Sequence, residues 1–357
     1  MPSRVRDAPR FCNLPEGVER EVMQPVPEFY AVDRAMFERE IVPAGRPAVL
    51  RGLVADWPIV KAARESAEAL AEWLLAHASD AAGEAWFGDP AIGGRFDFDA
   101  NVTGFNHDRK LATIAQLLDL ILRQRGSVAP WSVYAGALPV AKHVPGFRDA
   151  NPMPLLDADR HMLVSLWLGN RTQTAAHWDL PQNLACVVSG RRRFTLFPPD
   201  QIGNLYVGPI DFTLAGQPSS LVDHEHPDLD RFPKFADALA VAQVAELEPG
   251  DALYLPSLWW HGVAGRDEVG AMVNYWWRDG PARMTTPFHS LLHAAMTMHE
   301  LPANERAAWR AFFEHYVFRA NGDPVPHLPE GARGLLGDRT EEGLKALRAM
   351  LAGPLNR

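Results

Sequence analysis

Short β-rich runs separated by turn residues dominate the chain from about residue 130 onward. The clearest runs are 162–169, 183–188, 191–197, 252–255 and 271–277. Ser189-Gly190 lies between two of these runs and is typical of a hairpin turn, and Pro249-Gly250-Asp251 precedes another run. Many short strands with no helices between them predict an antiparallel sandwich or barrel.

Helical patterns flank this β-rich region on both sides. Residues 62–77 are rich in Ala, Glu and Leu, and apolar residues recur at helical spacing within 111–122. Two further helical patterns cover residues 288–299 and 305–318. The last pattern carries an aromatic face, formed by Trp309, Phe312, Phe313 and Tyr316. We expect so apolar a face to be buried, either on the β-rich region or on a partner chain.

These patterns predict three parts of the chain. Residues 1–30 have scattered charge and several prolines, and we expect a loosely held lead-in. Residues 31–286 are predicted to form one mainly β domain with flanking helices and a core at 130–280. Residues 287–357 are predicted to form a C-terminal helical region. A polar, proline-containing insertion at 223–237, which includes His224-Glu225-His226, is expected to be a solvated loop rather than a metal site.

The charge balance and the cysteine count exclude several classes of protein. The net charge is −9, from 35 basic and 44 acidic residues without a basic block, so we expect no nucleic acid as the main partner. The longest apolar stretch has 12 residues and is too short to span a bilayer. Two cysteines cannot form a disulfide framework, and the N-terminus has no apolar secretory segment. We therefore predict a cytoplasmic protein without a membrane partner.

The sequence His177-Trp178-Asp179 is the strongest chemical signal. On an extended chain, side chains two positions apart point to the same side, so the imidazole of His177 and the carboxylate of Asp179 could bind one divalent metal. His261, in a later β-rich segment, is the best third ligand. Two histidines and one carboxylate on one face leave open positions, as in non-haem Fe(II) oxygenases. The pattern alone is also compatible with a turn histidine beside a surface aspartate.

Side chains alternate between the two faces of a strand, and this alternation distinguishes one of the three arginines that follow the motif. In the run from Arg191, Arg192 shares a face with Phe194 and Leu196, while Arg191 and Arg193 share the other face. If the apolar face points inward, Arg192 is buried and needs an anion. A small dicarboxylate would supply one, bound by two parallel hydrogen bonds. The alternative is that all three arginines lie at the surface.

With these residues in place, the sequence resembles the cupin-like JmjC oxygenases, which use Fe(II) and 2-oxoglutarate and have a double-stranded β-helix, or jelly-roll, core. The type it resembles most is the asparaginyl hydroxylase that acts on hypoxia-inducible factor, with its bacterial relatives. The resemblance rests on His177-Trp-Asp179, Gly190-x-Arg192-Arg-Phe-Thr-Leu-Phe-Pro-Pro-Asp200, Pro249-Gly-Asp-x-Leu-Tyr-Leu-Pro256, Trp259-Trp-His261 and Asn274-Tyr-Trp276. It implies a catalytic domain at residues 31–286 and a C-terminal region through which homodimers form.

The resemblance also implies roles for single residues. His177, Asp179 and His261 match the metal ligands. A second group matches residues of the 2-oxoglutarate pocket: Thr174 and Arg192 at its distal carboxylate, Asn183 and Asn274 as lining amides, and Tyr134 as a loosely matched cap. The family usually has Lys at the Arg192 position, which leaves the pocket geometry open. Three tryptophans are expected either to form a dry wall near the metal or to be ordinary core residues: Trp178, Trp259 and Trp276.

The predicted function is hydroxylation of an unactivated C–H bond on a peptide side chain or a small molecule. Fe(II), 2-oxoglutarate and O2 are the implied cofactor and cosubstrates, and 2-oxoglutarate would be decarboxylated to succinate. Demethylation of methyl-lysine and hydroxylation of tRNA bases also occur in the resembled family, but the acidic chain makes both less expected. Two alternatives remain: a cupin isomerase or hydrolase with Zn or Mn, and a binding module whose metal site is not catalytic.

Overall fold

The computed structural model of the chain describes residues 23–157, 160–279, 286–337 and 340–355. The chain divides into two compact units, Met1–Pro281 and Ala282–Arg357. Most of the predicted lead-in, residues 1–22, and the junction at 280–285 lie outside the described residues. In the described ranges, no helix is long and apolar enough to cross a membrane. The cytoplasmic location stays a prediction.

All the described strands belong to the first unit. They are β1 (Gln24–Pro25), β2 (Glu28–Tyr30), β3 (Ala48–Arg51), β4 (Gly83–Gly88), β5 (Arg95–Phe96), β6 (Asp108–Ala112), β7 (Ser132–Pro139), β8 (Met162–Gly169), β9 (Gln173–His177), β10 (Gln182–Ser189), β11 (Arg192–Phe197), β12 (Gln243–Leu247), β13 (Ala252–Leu255), β14 (Trp260–Gly265) and β15 (Gly270–Trp277).

Helices occur in both units. The first unit contains Arg34–Met36, the π-helix Phe37–Ile41, Val42–Ala44, Pro58–Glu65, Ala67–His77, Ile114–Arg123, Val140–His143, Phe147–Ala150 and Phe235–Ala240, with 3-10 turns at Pro90–Ile92 and Pro199–Gly203. The second unit contains Pro287–Met298, Ala303–Tyr316 and Glu341–Leu355, with 3-10 turns at Glu330–Ala332 and Gly334–Leu336.

The strands form two sheets, and the last eight strands are divided equally between them. Within the described residues, one sheet has the order β1-β12-β11-β14-β9-β5 and the other has the order β2-β3-β13-β10-β15-β8-β7-β4-β6. The strands β8, β10, β13 and β15 thus face β9, β11, β12 and β14. This is the arrangement of a double-stranded β-helix. The predicted fold class, mainly β with a jelly-roll core and flanking helices, is confirmed.

The predicted hairpin at Ser189-Gly190 is wrong. The strand β10 pairs with β13 and β15, while β11 pairs with β12 and β14, so the turn carries the chain from one sheet to the other. Gly190 has a φ of +68°, and a Cβ there would lie 2.6 Å from the Val269 carbonyl oxygen. Turn residues mark where a strand ends, but they do not specify which strand it pairs with.

Strand β10 shows why this sheet lies at the centre of the first unit. Its alternate residues Leu184, Cys186 and Val188 pack into the core between the sheet and the helices. Ala185 and Val187 point into the barrel interior. Because both faces of the strand are buried, its sequence is a continuous apolar run and does not alternate between apolar and polar residues.

Local signals explain where the predicted helices begin and end. The pattern at 62–77 forms two helices, because Ser66 ends the first and caps the second by accepting a hydrogen bond from the Ala69 amide. The pattern at 111–122 begins later than predicted. Thr113 and Gln116 form a capping box that starts the helix at Ile114, which leaves Leu111 on strand β6.

The expectation of a solvated loop at His224 is wrong. His224 is only 3% exposed and packs behind strand β14, where a Cβ at Gly262 would lie 2.4 Å from its ring. The adjacent Glu225 pairs with Arg266 at 2.7 Å and with Arg193 at 3.8 Å. These ion pairs hold Glu225, and with it the buried His224, against the outer face of the six-stranded sheet. Most of the remaining insertion, including His226, is exposed as predicted.

Asp251 lies in the turn directly before strand β13 and connects it to the end of strand β3, which provides a test of the fold. Its buried carboxylate accepts hydrogen bonds from the Gly52 and Glu248 amides at 2.9 and 3.1 Å, and it pairs with Arg51 at 2.5 Å. Asp251→Ala leaves the two amides without a partner and removes one of the two carboxylates that pair with Arg51. We therefore expect the free energy of unfolding to fall by about 2–3 kcal/mol. Urea denaturation followed by circular dichroism measures the change.

The matched control for this prediction is Asp119→Ala. Asp119 pairs with Arg123 at 2.8 Å on an exposed helix face. Removing such a pair is expected to change the free energy of unfolding by less than about 0.5 kcal/mol. Equal losses in the two variants would contradict a structural role for the Asp251 carboxylate.

Candidate metal centre

Three side chains, two on neighbouring strands and one in the loop after the first of them, converge on one point inside the barrel. His177 is the last residue of β9, Asp179 follows two residues later, and His261 lies directly opposite His177 on β14. The two imidazole centroids are 4.4 Å apart, and Asp179 Oδ2 lies 3.6 Å from His261 Nε2. The ligand atoms of the three residues all lie within 4.8 Å of one another. This spacing suits a single metal ion.

Backbone hydrogen bonds orient both imidazoles. His177 Nδ1 lies 2.9 Å from the Ala175 carbonyl oxygen, and His261 Nδ1 lies 3.0 Å from the Trp259 carbonyl oxygen. If Nδ1 carries the proton, Nε2 of each ring is left with a lone pair that can bind a metal. Burial, together with the nearby His177, lowers the pKa of His261 to about 4. His261 is therefore a neutral imidazole at pH 7, as a metal ligand must be.

The chemistry of this donor set fits a divalent first-row metal. Two imidazole nitrogens and one carboxylate on one face leave other coordination positions open, and such sites in proteins bind Fe(II). Exposed clusters of acidic groups are common without a metal, so the burial of this cluster is informative. His261 is 4% exposed and Asp179 is 8% exposed, while His177 is partly buried.

A β-bulge brings Thr174 to the same side as the metal ligands. Between the pairs His177–His261 and Thr174–Val263, strand β9 advances by three residues while β14 advances by two. Residues three apart on a regular strand would face opposite sides, and the extra residue reverses this. The bulge thus explains how the hydroxyl of Thr174 can line the same pocket as His177.

All the sequence-predicted site residues line one pocket. The metal triad His177, Asp179 and His261 is joined there by Tyr134, Thr174, Asn183, Arg192 and Asn274. The structure therefore brings together residues from six different strands and one loop. Their roles remain predictions, but their common location is an observation.

Arg192 is a buried cation without an anion. It is 6% exposed, and within the described residues its Nε has no hydrogen-bond partner and its guanidinium forms no ion pair. Burial lowers the pKa of Arg192, and Tyr134 opposes that change. The neighbouring arginines face the other side of the strand, where Arg191 pairs with Asp267 at 2.8 Å and Arg193 with Glu246 at 3.5 Å. Of these three arginines, Arg192 is thus the one left to bind an anion in the pocket.

Amide and indole groups complete the polar wall. Asn274 Nδ2 donates to Asn183 Oδ1 at 2.8 Å, which leaves Asn274 Oδ1 buried without a partner. The Nε1 atoms of Trp167 and Trp276 are also buried and have no partner among the described residues. Burial raises the pKa of Tyr134, so its hydroxyl stays protonated and can donate. The pocket therefore offers several donors near Arg192 that a bound oxygen-rich molecule would satisfy.

The structure distinguishes the two alternatives given for the tryptophans. Trp276 lines the pocket, but Trp178 and Trp259 do not, and the Trp259 indole instead donates to the Gly45 carbonyl oxygen at 3.2 Å. Trp167 lies across from Met272 in the pairing of β8 with β15, and both side chains line the pocket. Met272 lies on the same face of β15 as Asn274 and Trp276, so the alternation of side chains along the strand could have predicted its place in the pocket. The place of Trp167 could not be predicted in this way, because it depends on how β8 pairs with β15.

A scan against protein families matches residues 34–283 to a cupin-like domain. Similar curated proteins include a lysine-specific demethylase from Arabidopsis thaliana, 35% identical over 132 residues, and HSPB1-associated protein 1 from Homo sapiens, 35% identical over 148 residues. A tRNA wybutosine-synthesizing protein from Mus musculus is 36% identical over 110 residues.

These similarities cover only parts of the proteins. The aligned segments make up 37%, 40% and 31% of this chain. They make up 24%, 30% and 32% of the three relatives. The chain thus matches about a third or less of each relative's length, so the relatives' activities as whole proteins do not transfer directly.

Loss of either histidine ligand tests the metal centre. We expect His177→Ala and His261→Ala each to raise the Kd for Co(II) by more than about 100-fold, because loss of an outer hydrogen-bond partner alone costs about 10–100-fold. Absorption of bound Co(II) under anaerobic conditions measures the affinity. His289→Ala, on an exposed helix position, is the control and should bind like the parent. If His177→Ala or His261→Ala binds Co(II) like the parent, the histidine replaced in that variant is not a metal ligand.

Proposed function

The chain belongs to the cupin-like domain family, and from this membership and the pocket geometry we propose that it is an Fe(II)- and 2-oxoglutarate-dependent oxygenase. The family match confirms the resemblance to the cupin-like JmjC oxygenases that the motifs indicated. The proposed reaction is hydroxylation of an unactivated C–H bond on a protein side chain or a small molecule. The proposal includes decarboxylation of 2-oxoglutarate to succinate.

The observation that carries this proposal is the unpaired guanidinium of Arg192 in the same pocket as the metal triad. A buried cation is costly unless an anion pairs with it. A cosubstrate with two carboxyl groups can bind the metal at one end and Arg192 at the other. An isomerase or hydrolase that used only the triad would have no evident need for such a cation.

The residues of the chain bind and orient the cosubstrate. Arg192 can form two parallel hydrogen bonds with the distal carboxylate, and the Thr174 hydroxyl can donate a third. The protonated hydroxyl of Tyr134, which lines the same pocket, can also donate to this carboxylate. When bound, the iron supplies the O2 activation that is coupled to decarboxylation of 2-oxoglutarate.

Aromatic side chains exclude water from the reacting centre. Trp167 and Trp276 form an edge-to-face pair with centroids 5.8 Å apart in the pocket wall. Tyr134 packs against Trp167 at 5.9 Å. A dry wall strengthens the electrostatic attraction between Arg192 and a carboxylate, because the local dielectric constant is low.

Two measurements separate this proposal from its alternatives. Iron-dependent release of succinate distinguishes an oxygenase from a Zn- or Mn-dependent isomerase or hydrolase and from a non-catalytic module. The metal content of protein purified without oxygen distinguishes the latter two. For the primary substrate, we propose a screen by thermal shift with metal and 2-oxoglutarate present, since a true ligand stabilises the folded state by mass action.

The choice of compounds for that screen follows the relatives as well as the proposal. Peptides and small metabolites come first, because the chain is acidic and the proposed reaction is C–H hydroxylation. Methyl-lysine peptides and tRNA are included because two of the relatives are a demethylase and a tRNA-modifying protein by name. Removal of an N-methyl group can begin with hydroxylation of its C–H bond, so the same pocket could serve that reaction.

Substitution of Arg192 tests the cosubstrate site. We expect Arg192→Met to raise the Kd for 2-oxoglutarate at least about 100-fold, because losing one partner of a buried charge pair costs about 3–5 kcal/mol and each decade is about 1.4 kcal/mol. Metal affinity should be nearly unchanged, since Arg192 is not a ligand. Arg192→Lys should be partly active, because lysine keeps the positive charge but cannot form the two parallel hydrogen bonds of a guanidinium. Anaerobic calorimetry measures the metal affinity by titration with Mn(II), and then the 2-oxoglutarate affinity with Mn(II) bound.

The neighbouring Arg191 gives a matched control, since it pairs with Asp267 at the surface. Arg191→Met should bind 2-oxoglutarate like the parent. If Arg192→Met also binds like the parent, the carboxylate is bound elsewhere, and the assignment of Arg192 fails even if the chain is an oxygenase.

The second unit supports a further proposal about assembly. Trp309, Phe312 and Tyr316 follow one another on the helix Ala303–Tyr316 and are 45%, 56% and 44% exposed. Val317 and Phe318, which come directly after the helix, are 60% and 67% exposed. Exposed apolar surface of this extent is typical of an interface. We propose that a second copy of the chain covers it, so that the protein is a homodimer.

Charge placed on this face should disrupt the dimer. The double variant Trp309→Glu with Phe312→Glu is expected to change the mass measured by light scattering at micromolar concentration from dimer to monomer. Leu111→Glu is the control, because Leu111 is 74% exposed on a strand of the first unit and should not affect assembly. A monomer mass for the unmodified chain would contradict the proposal.

A further inference from the structure

Trp167 lies in the wall of the metal pocket between its metal end, at the ligand triad, and its anion end, at Arg192. At the anion end, Nη2 of Arg192 lies 3.4 Å from the position of a Cβ on Gly270, and Gly169 lies opposite Gly270 in the pairing of β8 with β15. Trp167 precedes Gly169 by two residues on β8, so the two face the same side. The Trp167 side chain is therefore next to the guanidinium, on the path to the metal.

Aromatic contacts show that the Trp167 indole extends along the middle of the pocket. Its ring centroid lies 5.9 Å from that of Tyr134 and 5.8 Å from that of Trp276. Tyr134 is at the anion end, close enough to the guanidinium to affect its pKa. Trp276 pairs with Asn183, which lies shortly after the metal ligand Asp179. The indole thus borders the part of the pocket where the carbon chain of a cosubstrate would lie.

Strand β7 leaves space for this indole at Gly136. Because Ala135 pairs with Leu168, the next residues along the two strands are Gly136 and Trp167. A Cβ on Gly136 would lie 2.4 Å from Cζ3 of Trp167, closer than two carbon atoms can approach without displacement. The φ angle of Gly136 is not in the left-handed region, so the ring and not the backbone requires glycine here.

A β-bulge follows Gly136 directly. From Ala135 to Leu138, strand β7 advances by three residues while its partner β8 advances by two. Ala137, within the bulge, has a φ of +52°, a left-handed conformation that residues other than glycine rarely adopt. Bulges and strained residues of this kind are concentrated next to functional sites, where the surrounding structure maintains them. The space for the Trp167 ring is thus made by the backbone of β7 as well as by a missing side chain.

The opposite wall of the pocket is equally close. Phe194 and Val263, which pair across β11 and β14, line it from the other sheet. The free volume of the pocket is about 30 Å³, whereas small-molecule sites usually have about 300–1,000 Å³. A molecule bound at both ends must therefore stay slender and extended, because it has no room to bend toward Trp167.

We infer that Trp167 limits the length of the cosubstrate, so that 2-oxoglutarate is accepted and 2-oxoadipate, its homologue with one more methylene, is rejected. The inference rests on the proposed function, since it takes the metal and Arg192 to bind the two ends of the dicarboxylate. With both ends fixed, an additional methylene must bend sideways, and the indole of Trp167 fills the space that it would need. The role is steric and requires no hydrogen bond from the indole.

The affinities of the two dicarboxylates test this inference. Anaerobic calorimetry with Mn(II) bound measures the Kd for each. One additional methylene in an enzyme pocket changes binding about 10- to 200-fold, so we expect the parent to prefer 2-oxoglutarate by at least about 10-fold. Trp167→Leu should bring the two Kd values to within about 3-fold of each other, mainly by strengthening the binding of 2-oxoadipate. The affinity for Mn(II) should not change, because Trp167 is not a ligand.

A variant of Gly136 moves the same ring in the opposite direction. Gly136→Ala should weaken 2-oxoglutarate binding about 10-fold or more, because the added methyl group displaces the indole into an already filled pocket. In the double variant with Trp167→Leu the ring is absent, so 2-oxoglutarate should bind as it does to Trp167→Leu alone. A double-mutant cycle measures this coupling, which a purely structural role of Gly136 would not produce.

Two further variants complete the comparison. Trp131→Leu is the matched tryptophan control, because Trp131 is 49% exposed directly before β7 and does not line the pocket. It should keep both Kd values of the parent. Trp167→Phe retains a smaller aromatic ring and should give a selectivity between those of the parent and Trp167→Leu. Melting temperatures show which variants are folded, and the folded ones are compared.

Three results would overturn the inference and leave the proposed function intact. Equal Kd values for the two dicarboxylates in the parent would mean that the pocket does not select for length. A parental preference that persists in folded variants of Trp167 would assign the limit to another side chain. If the double variant binds 2-oxoglutarate as weakly as Gly136→Ala, the indole is not the group that the methyl displaces. Failure of the Mn(II)-bound parent to bind 2-oxoglutarate at all would instead overturn both the inference and the proposed function.

Discussion

The antiparallel pairing of β9 with β14 is the contact on which the candidate site depends. It places His177 directly opposite His261, and Asp179 reaches the same point only because it follows β9 by two residues. Both strands also pack against buried side chains away from the ligands: Ala175 lies in one small core, and Gly262 leaves room for the buried ring of His224. A slip of one residue in this pairing would turn one histidine away from the other, since the side-chain period of a strand is two. The register is thus set by this packing as much as by the ligands.

The sequence predicted those features that depend on local pattern. The bounds of β8 and β13 match the predicted runs 162–169 and 252–255, and the apolar alternation correctly separated Arg192 from Arg191 and Arg193. Features that depend on pairing between distant strands could not be derived in this way. The bulge in β9, the place of Trp167 opposite Met272 and the crossing between sheets at Gly190 all need the register of strands far apart in the sequence. Residue composition misled in one place, where paired charges made the segment around His224 look solvated.

The pocket is assembled at a cost to the stability of the chain. A buried guanidinium without an anion, buried indole donors without acceptors and an unsatisfied amide oxygen on Asn274 each destabilise the folded state. Natural proteins satisfy nearly all such groups, so a cluster of exceptions in one place is best explained by a ligand that satisfies them together. The arrangement also favours binding, because the donors are already fixed by the strands and lose little conformational freedom when a carboxylate arrives. The same argument explains why the arginines on the other face of β11 are paired within the chain: they do not serve a ligand.

Strand β15 imposes a further constraint, since both of its faces are buried. Asn274 and Trp276 face the metal pocket, while Tyr275 faces the helices, where Trp57 packs against it at 6.2 Å. Because the backbone of β15 is hydrogen-bonded to β8 and β10 along most of its length, one face of the strand cannot shift without the other. The amide of Asn274, which is bonded to Asn183, is therefore positioned in part by the packing of Tyr275 on the opposite face.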